Sequence, residues 1–181
     1  MGQPTLNPQE NINDPGYVLQ SDWVFDNAEM HQKFGVNEVI RNLPREKLAK
    51  FLQFRLDFLQ EELNEAKAAH TKLVELQSFE RSAADLENQA IGAADDVVDA
   101  MIDLCVVAIG TLNAFDVDAD EAWSRVHEKN MEKVPGIKAS RPNPLGLPDL
   151  IKPGGWVPPN HRDNTGFITR IAGFVLDLVD E

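Results

Sequence analysis

Glu61-Glu62-Leu63-Asn64-Glu65 and, thirty residues further on, Asp96-Val97-Val98-Asp99 decide how this chain folds and what chemistry it can carry. Both stretches lie inside long segments with helical apolar spacing. At about 100° per residue, Glu62 and Glu65 fall on one face of a helix, between Phe51, Phe58 and Ala69. Gln53, Asp57, Gln60, Asn64 and Lys67 define the solvent face. Asp96 and Asp99 share a face with Asp103, on a segment that is apolar nearly all the way round. Burying carboxylates together without partners costs several kcal/mol, and no Lys or Arg is expected on either stripe. Divalent cations are therefore the expected partners of Glu61, Glu62, Glu65, Asp96, Asp99 and Asp103.

The rest of the chain organises around these two helices. Residues 1–22 carry Pro4, Pro8, Pro15 and Gly16 and read as irregular. Ser21 or Asp22 can open a short helix holding Trp23, Phe25, Met30 and Phe34, which Gly35 ends. Pro44 marks the start of a long helix reaching about His70 or beyond, with Leu48, Phe51, Leu52, Leu56, Leu59 and Leu63 as its apolar set. Residues 71–91 are helix-prone, either continuing that helix or forming another. A third long helix is predicted from about Ala93 to Phe115. Asp118 caps a fourth, Ala119 to about Lys133, with Trp123 and Val126 facing inward, and Pro135-Gly136 stops it.

Beyond residue 136 prolines and glycines dominate, which reads as an arm. Trp156 and Val157 give it something to bury, and Phe167, Ile171, Phe174, Val175 and Leu178 recur at helical spacing near the end. No strand pattern stands out. The expected class is all-α: an antiparallel helical bundle with a Pro/Gly-rich C-terminal arm. It divides into an N-terminal extension (1–43), a helical core (44–135), and the arm with a C-terminal helix (136–181).

A length of 181 residues, 43% of them hydrophobic, suits one domain with a real core. A net charge of -13 argues against a nucleic-acid surface. The lone Cys105 cannot form an internal disulfide, so a cytoplasmic location is expected, host cytoplasm if the protein is viral. The first residues lack the pattern of a signal peptide, and no apolar run reaches the roughly 18–20 residues that span a bilayer. No membrane partner is expected.

Oxygen-only ligands at these spacings favour Mg²⁺, more than one ion per site, with Mn²⁺ as a substitute. Such a centre lends itself to phosphoryl or nucleotidyl transfer, because the ions neutralise polyphosphate and acidify a water. Basic or amide groups must finish the phosphate cradle. Arg125, Lys129, Asn130 and Lys133 lie close downstream, and Asn130 and Lys133 can point the same way. Arg125 and Lys129 read as surface residues. His127 can touch a phosphate or pack in the core. His31, His70 and His161 carry no ligand pattern. Trp23, Phe25 and Phe34 read as core aromatics before base-stacking ones.

The two acid stripes, with Val107-Ala108-Ile109-Gly110-Thr111 and Val126-His127-Glu128-Lys129-Asn130-Met131-Glu132-Lys133, resemble the motifs of MazG-like all-α nucleoside triphosphate pyrophosphohydrolases. The resemblance covers about residues 44–135. It implies hydrolysis between the α and β phosphates, giving a nucleoside monophosphate and pyrophosphate. It assigns Glu62, Glu65, Asp96 and Asp99 as metal ligands and Glu61 as a further ligand or water-orienting base. Asn130 and Lys133 become phosphate contacts. Asp96 stands where the family has Glu. His31-Gln32-Lys33-Phe34-Gly35 and Gly146-Leu147-Pro148-Asp149-Leu150-Ile151-Lys152-Pro153-Gly154-Gly155-Trp156 resemble phage-type members, among them the MazZ branch, which acts on guanine nucleotides. A homodimer or homotetramer and a dGTP or GTP substrate are what that likeness would imply.

Two other classes compete. A di-iron carboxylate oxidase needs Glu-x-x-His pairs, which the sequence lacks. A non-catalytic helical interaction module would not need an intact acid set.

Overall fold

In the computed structural model, which describes residues 22–77, 83–138, 140, 143–146 and 149–173, helices dominate. They are α1 (Trp23–Lys33), α2 (Val36–Arg41), α3 (Arg45–Leu76), α4 (Ala83–Ala114) and α5 (Ala119–Met131). Two short strands follow, β1 (Val134–Gly136) and β2 (Asp149–Ile151), then a 3₁₀ turn over Ile168–Ala172. The all-α class is correct, with one small antiparallel ladder that the sequence reading did not anticipate.

α3 and α4 form the spine. On α3, Leu48, Leu52, Arg55, Leu59, Glu62, Ala66, Ala69, Leu73 and Leu76 alternate at three- and four-residue intervals, and every one is buried or half-buried. On α4, Leu86, Ala90, Ala93, Val97, Ala100, Leu104, Val107, Thr111 and Ala114 do the same. This is the seam of a helix pair, with alanines at Ala66, Ala69, Ala93 and Ala100 admitting close approach. Cross-links from Arg55 to Val107 and from Lys72 to Asp96 make the pair antiparallel. Because the faces away from the seam are open, Leu56 and Leu63 of the expected apolar set are exposed.

The tightest packing lies where α3 begins and α4 ends. Leu48 and Phe115 are fully buried there with Ile40 and Val117. Phe51 and Phe167 flank Phe115, ring centroids 5.7 and 5.4 Å away. The Arg170 guanidinium donates to the carbonyls of Arg41 and Leu43, and Arg45 donates to that of Ile171, tying the 3₁₀ turn to the root of α3. The expected C-terminal helix starts here as that turn; its part beyond Gly173 lies outside the described residues.

α1 opens on Asp22, whose side chain accepts from the N–H groups of Val24 and Phe25. It docks on α4 through a buried polar contact. His31 Nδ1 lies 3.0 Å from Asn37 Oδ1, and Asn37 Nδ2 donates to Asn113 Oδ1 at 2.8 Å. Gly110 makes the approach possible: a Cβ there would sit 3.0 Å from His31 Nε2, 3.1 Å from an Arg55 nitrogen and 3.2 Å from Asn27 Oδ1.

Other expectations change, among them the reading of Trp23, Phe25 and Phe34 as core aromatics, since all three are exposed. α4 begins at Ala83, not Ala93, because Ala84, Leu86, Glu87 and Ala90 are good helix formers that also extend the seam. α5 ends at Met131, and its Trp123 is 71% exposed instead of facing inward, since α5 packs only sparsely on α4. Val157 of the arm is exposed too, while Trp156 is half-buried. Finally, Ala84–Ala114 is long and apolar enough to cross a bilayer, its most apolar 18-residue stretch having a mean hydropathy of 1.8. The sequence reading counted unbroken apolar runs and missed it; Asp95, Asp96, Asp99 and Asp103 interrupt that helix, which packs along α3. The irregular segment expected before Asp22 lies outside the described residues.

Candidate functional site

Glu62 occupies a seam position of α3, where a leucine or alanine would be ordinary. The antiparallel register sets it against Asp103 and Asp99 of α4. Its carboxyl is pushed above the usual carboxylate range, first by desolvation, then by repulsion from Glu65, Asp103, Glu61 and Asp99. Acids from both helices therefore converge on one half-buried carboxylate. Among the described residues, no cation is among the charges acting on it.

The exposures correct the expectation of an inward-facing cage. Glu62 and Asp103 are half-buried, while Glu61, Glu65, Asp96 and Asp99 are exposed. A spine only two helices wide has no interior there, so the acids line the open edge of the seam. Asp96 also has a cation: Lys72 Nζ sits 2.9 Å from its Oδ2, both side chains more than half exposed. Lys72 continues the stripe of Glu62, Glu65 and Ala69 at helical spacing, so the expectation that the stripe held no Lys was wrong. Among the described residues no three Asp, Glu, His or Cys groups stand close enough to hold an ion as they are. The donor set still suits a hard cation, being all carboxylate oxygen around a repelled Glu62. Glu61 and Glu65, with Asp57, Gln60, Asn64 and Ala68, also line a shallow depression on the outer side of α3.

Arg55 was missed by sequence reasoning. Its Nε donates to Thr111 Oγ1 at 2.9 Å and a terminal nitrogen donates to the Val107 carbonyl at 2.8 Å, and burial pulls its pKa down. The signal was its place at a seam interval among leucines.

The second group of residues sits at the end of α5. Asn130 Oδ1 accepts from Lys133 Nζ at 2.6 Å. Lys133 Nζ lies over the Trp156 ring, 5.4 Å from its centroid, and Lys152 Nζ lies 4.3 Å from the same centroid. Trp156 Nε1 donates to the Lys129 carbonyl at 3.0 Å, anchoring the arm to α5. Arg125 adds a second anchor. It pairs with Asp163 and Glu121, and holds the Asp163 carboxyl down to about 2. His127 is exposed. Among the described residues no hydrogen bond or ion pair joins Asn130, Lys133 or His127 to the acids of the seam; Asn130 and Lys133 bond each other instead. Trp156, expected to give the arm something to bury, packs there half-buried, while the place of Lys152 beside it becomes visible only in the β1–β2 ladder.

A family model described as phosphoribosyl-ATP pyrophosphohydrolase matches residues 28–130, more than half of the chain. The match takes in both acid stripes and ends at Asn130, before Lys133 and the arm. No curated protein matches the chain.

Proposed function

This chain belongs to the phosphoribosyl-ATP pyrophosphohydrolase family, MazG-like all-α nucleotide pyrophosphohydrolases, and on that premise we propose that it hydrolyses a nucleoside triphosphate between the α and β phosphates. The products are a nucleoside monophosphate and pyrophosphate. The observation that carries this reading is Glu62: a carboxylate at a seam position, desolvated, crowded by acids from two helices and, among the described residues, without a cation. Guanine nucleotides, dGTP or GTP, in a phage nucleotide-pool pathway are the proposed substrate and setting, in the cytoplasm of the cell or host.

Glu62, Glu65, Asp99 and Asp103 would hold Mg²⁺, or Mn²⁺ in its place, with Asp96 joining once Lys72 releases it. When bound, such ions neutralise the polyphosphate and lower the pKa of a coordinated water. Glu61, exposed beside Glu62, accepts the proton of the attacking water. Asn130 donates an amide N–H and Lys133 an ammonium N–H to phosphate oxygens, and His127 lies on the same helix within reach of that end.

Within one chain no described bond links the acids to Asn130 or Lys133, and in this reading a second copy completes the site. The supporting surface is apolar and exposed: Ile91, Val98 and Ile102 on α4, Phe54 on α3, and Trp123 and Met131 on α5. A homodimer or homotetramer covers it.

The test is turnover of purified protein on a panel of ribo- and deoxyribonucleoside triphosphates and phosphoribosyl-ATP, with and without Mg²⁺. Monophosphate and pyrophosphate should appear in equal amounts, fastest with guanine nucleotides. Release of orthophosphate alone, or turnover that Glu62→Gln leaves intact, refutes the reading.

A further inference from the structure

The β1–β2 register pairs Val134 with Ile151, Pro135 with Leu150 and Gly136 with Asp149. Extended by one residue, it sets Lys133 directly opposite Lys152. Like charges opposed across an antiparallel pair destabilise it. The ladder nonetheless brings the two lysines together from 19 positions apart in sequence. It is built tightly: a Cβ on Gly136 would lie 2.5 Å from Ile151 Cγ1, so only glycine lets β2 close onto β1 here.

The charges are not neutralised by protein acids. The nearby Glu132 is engaged by Lys129 Nζ at 2.5 Å, and among the described residues neither Lys133 nor Lys152 has a carboxylate ion-pair partner. What they share is one indole ring, which attracts cations but does not neutralise them. In a chain of net charge -13, carboxylates to quench them are plentiful, yet none of the described ones pairs with either lysine. Asn130 adds an amide at the same spot.

We propose that Lys152, delivered by the arm, joins Lys133 and Asn130 in an anion clamp on Trp156 that takes the polyphosphate tail of the nucleotide. The clamp deepens the pyrophosphohydrolase reading and rests on it. Lys152 contacts the β and γ phosphates that depart as pyrophosphate, while Trp156 fixes both ammonium groups and its N–H anchors them to α5. No bond is made or broken by the clamp, so its contribution falls on substrate binding.

The experiment uses the full chain and two readouts. Sodium tripolyphosphate is titrated calorimetrically without metal, and steady-state kinetics are measured on a triphosphate with Mg²⁺. Wild-type protein should bind tripolyphosphate saturably and more weakly at high salt. Lys152→Ala should weaken binding and raise KM, each by about tenfold, with kcat changed less than about twofold, and Lys152→Arg should restore both. Gly136→Ala, which pushes β2 off β1, should weaken tripolyphosphate binding in the same way. Unchanged tripolyphosphate affinity and unchanged KM in Lys152→Ala overturn the clamp. If wild-type protein cleaves no triphosphate but loses tripolyphosphate binding on Lys152→Ala, the clamp stands and the hydrolase reading falls. If it cleaves triphosphates and Lys152→Ala behaves as wild type in both assays, the hydrolase reading stands and the clamp falls.

Discussion

Arg55 and Glu62 stand two helical turns apart on the same seam of α3, and their charges are treated in opposite ways. Arg55 reaches α4 and spends its N–H groups on Thr111 and Val107. Glu62 finds Asp99 and Asp103 across the same seam and, among the described residues, no cation. A helix pair that satisfies one buried charge locally and leaves its neighbour repelled has a site where folding alone gains nothing from the ionised side chain.

Glu62→Gln should therefore stabilise the metal-free protein at neutral pH while lowering turnover by about a hundredfold or more. The sign follows from the raised pKa. Folded protein holds the Glu62 proton at pH values where the unfolded chain has lost it, so stability falls as pH rises from the ordinary carboxylate value through the raised one. Urea unfolding across pH 4–8 checks this: wild type should lose stability over that window relative to Glu62→Gln (a range of about 4 pH units set by ordinary carboxylate titration). Parallel curves sink the prediction.

Mg²⁺ or Mn²⁺ should raise the midpoint of thermal unfolding saturably. At a hundredfold excess over Kd, linkage gives about 2.7 kcal/mol. Glu62→Gln and Asp99→Asn should remove most of the shift, measured by differential scanning fluorimetry in chelated and metal-loaded buffer.

Lys72→Ala separates the two roles open to Asp96. The ion pair is exposed on both sides, so its loss should change stability by less than about 1 kcal/mol. If Asp96 joins the ion site once released, Mg²⁺ affinity should rise by calorimetry. Lower affinity would assign Lys72 to holding Asp96 in place.

Gly110→Ala should cost about 1–3 kcal/mol in urea unfolding, since His31, Arg55 and Asn27 must each give way where α1 crosses α4. The packing there is polar and bonded, so the loss should appear as earlier release of α1 in hydrogen exchange.

The exposed face of α4 predicts self-association. Ile91→Glu or Val98→Glu should shift the sedimentation coefficient towards that of one chain and lower turnover together with it. A wild-type protein that sediments as one chain at micromolar concentration contradicts the shared site.

The helices were legible because Leu48, Leu59, Ala66 and Ala100 carry the seam spacing openly, and because Asp22 and Asp118 cap where caps belong. Glu62 and Asp99 could be placed on facing stripes for the same reason. Lys72 escaped because the stripe was followed only as far as Ala69, although Glu65, Ala69 and Lys72 keep the same spacing. The exposure of Trp123 escaped because periodicity reports which residues share a face but not whether anything covers that face. The ladder of β1 and β2 was invisible because three-residue strands containing Pro135 and Gly136 show no alternation.

The strict seven-residue recurrence of the seam has a consequence for how such chains can vary in length. One residue inserted between Arg55 and Glu62, or between Asp99 and Val107, would rotate everything beyond it by about 100° and turn one acid away from the other. Residues added where α3 gives way to α4 leave that phasing untouched. Size differences among relatives should therefore gather at that junction or arrive as whole heptads split between the two helices.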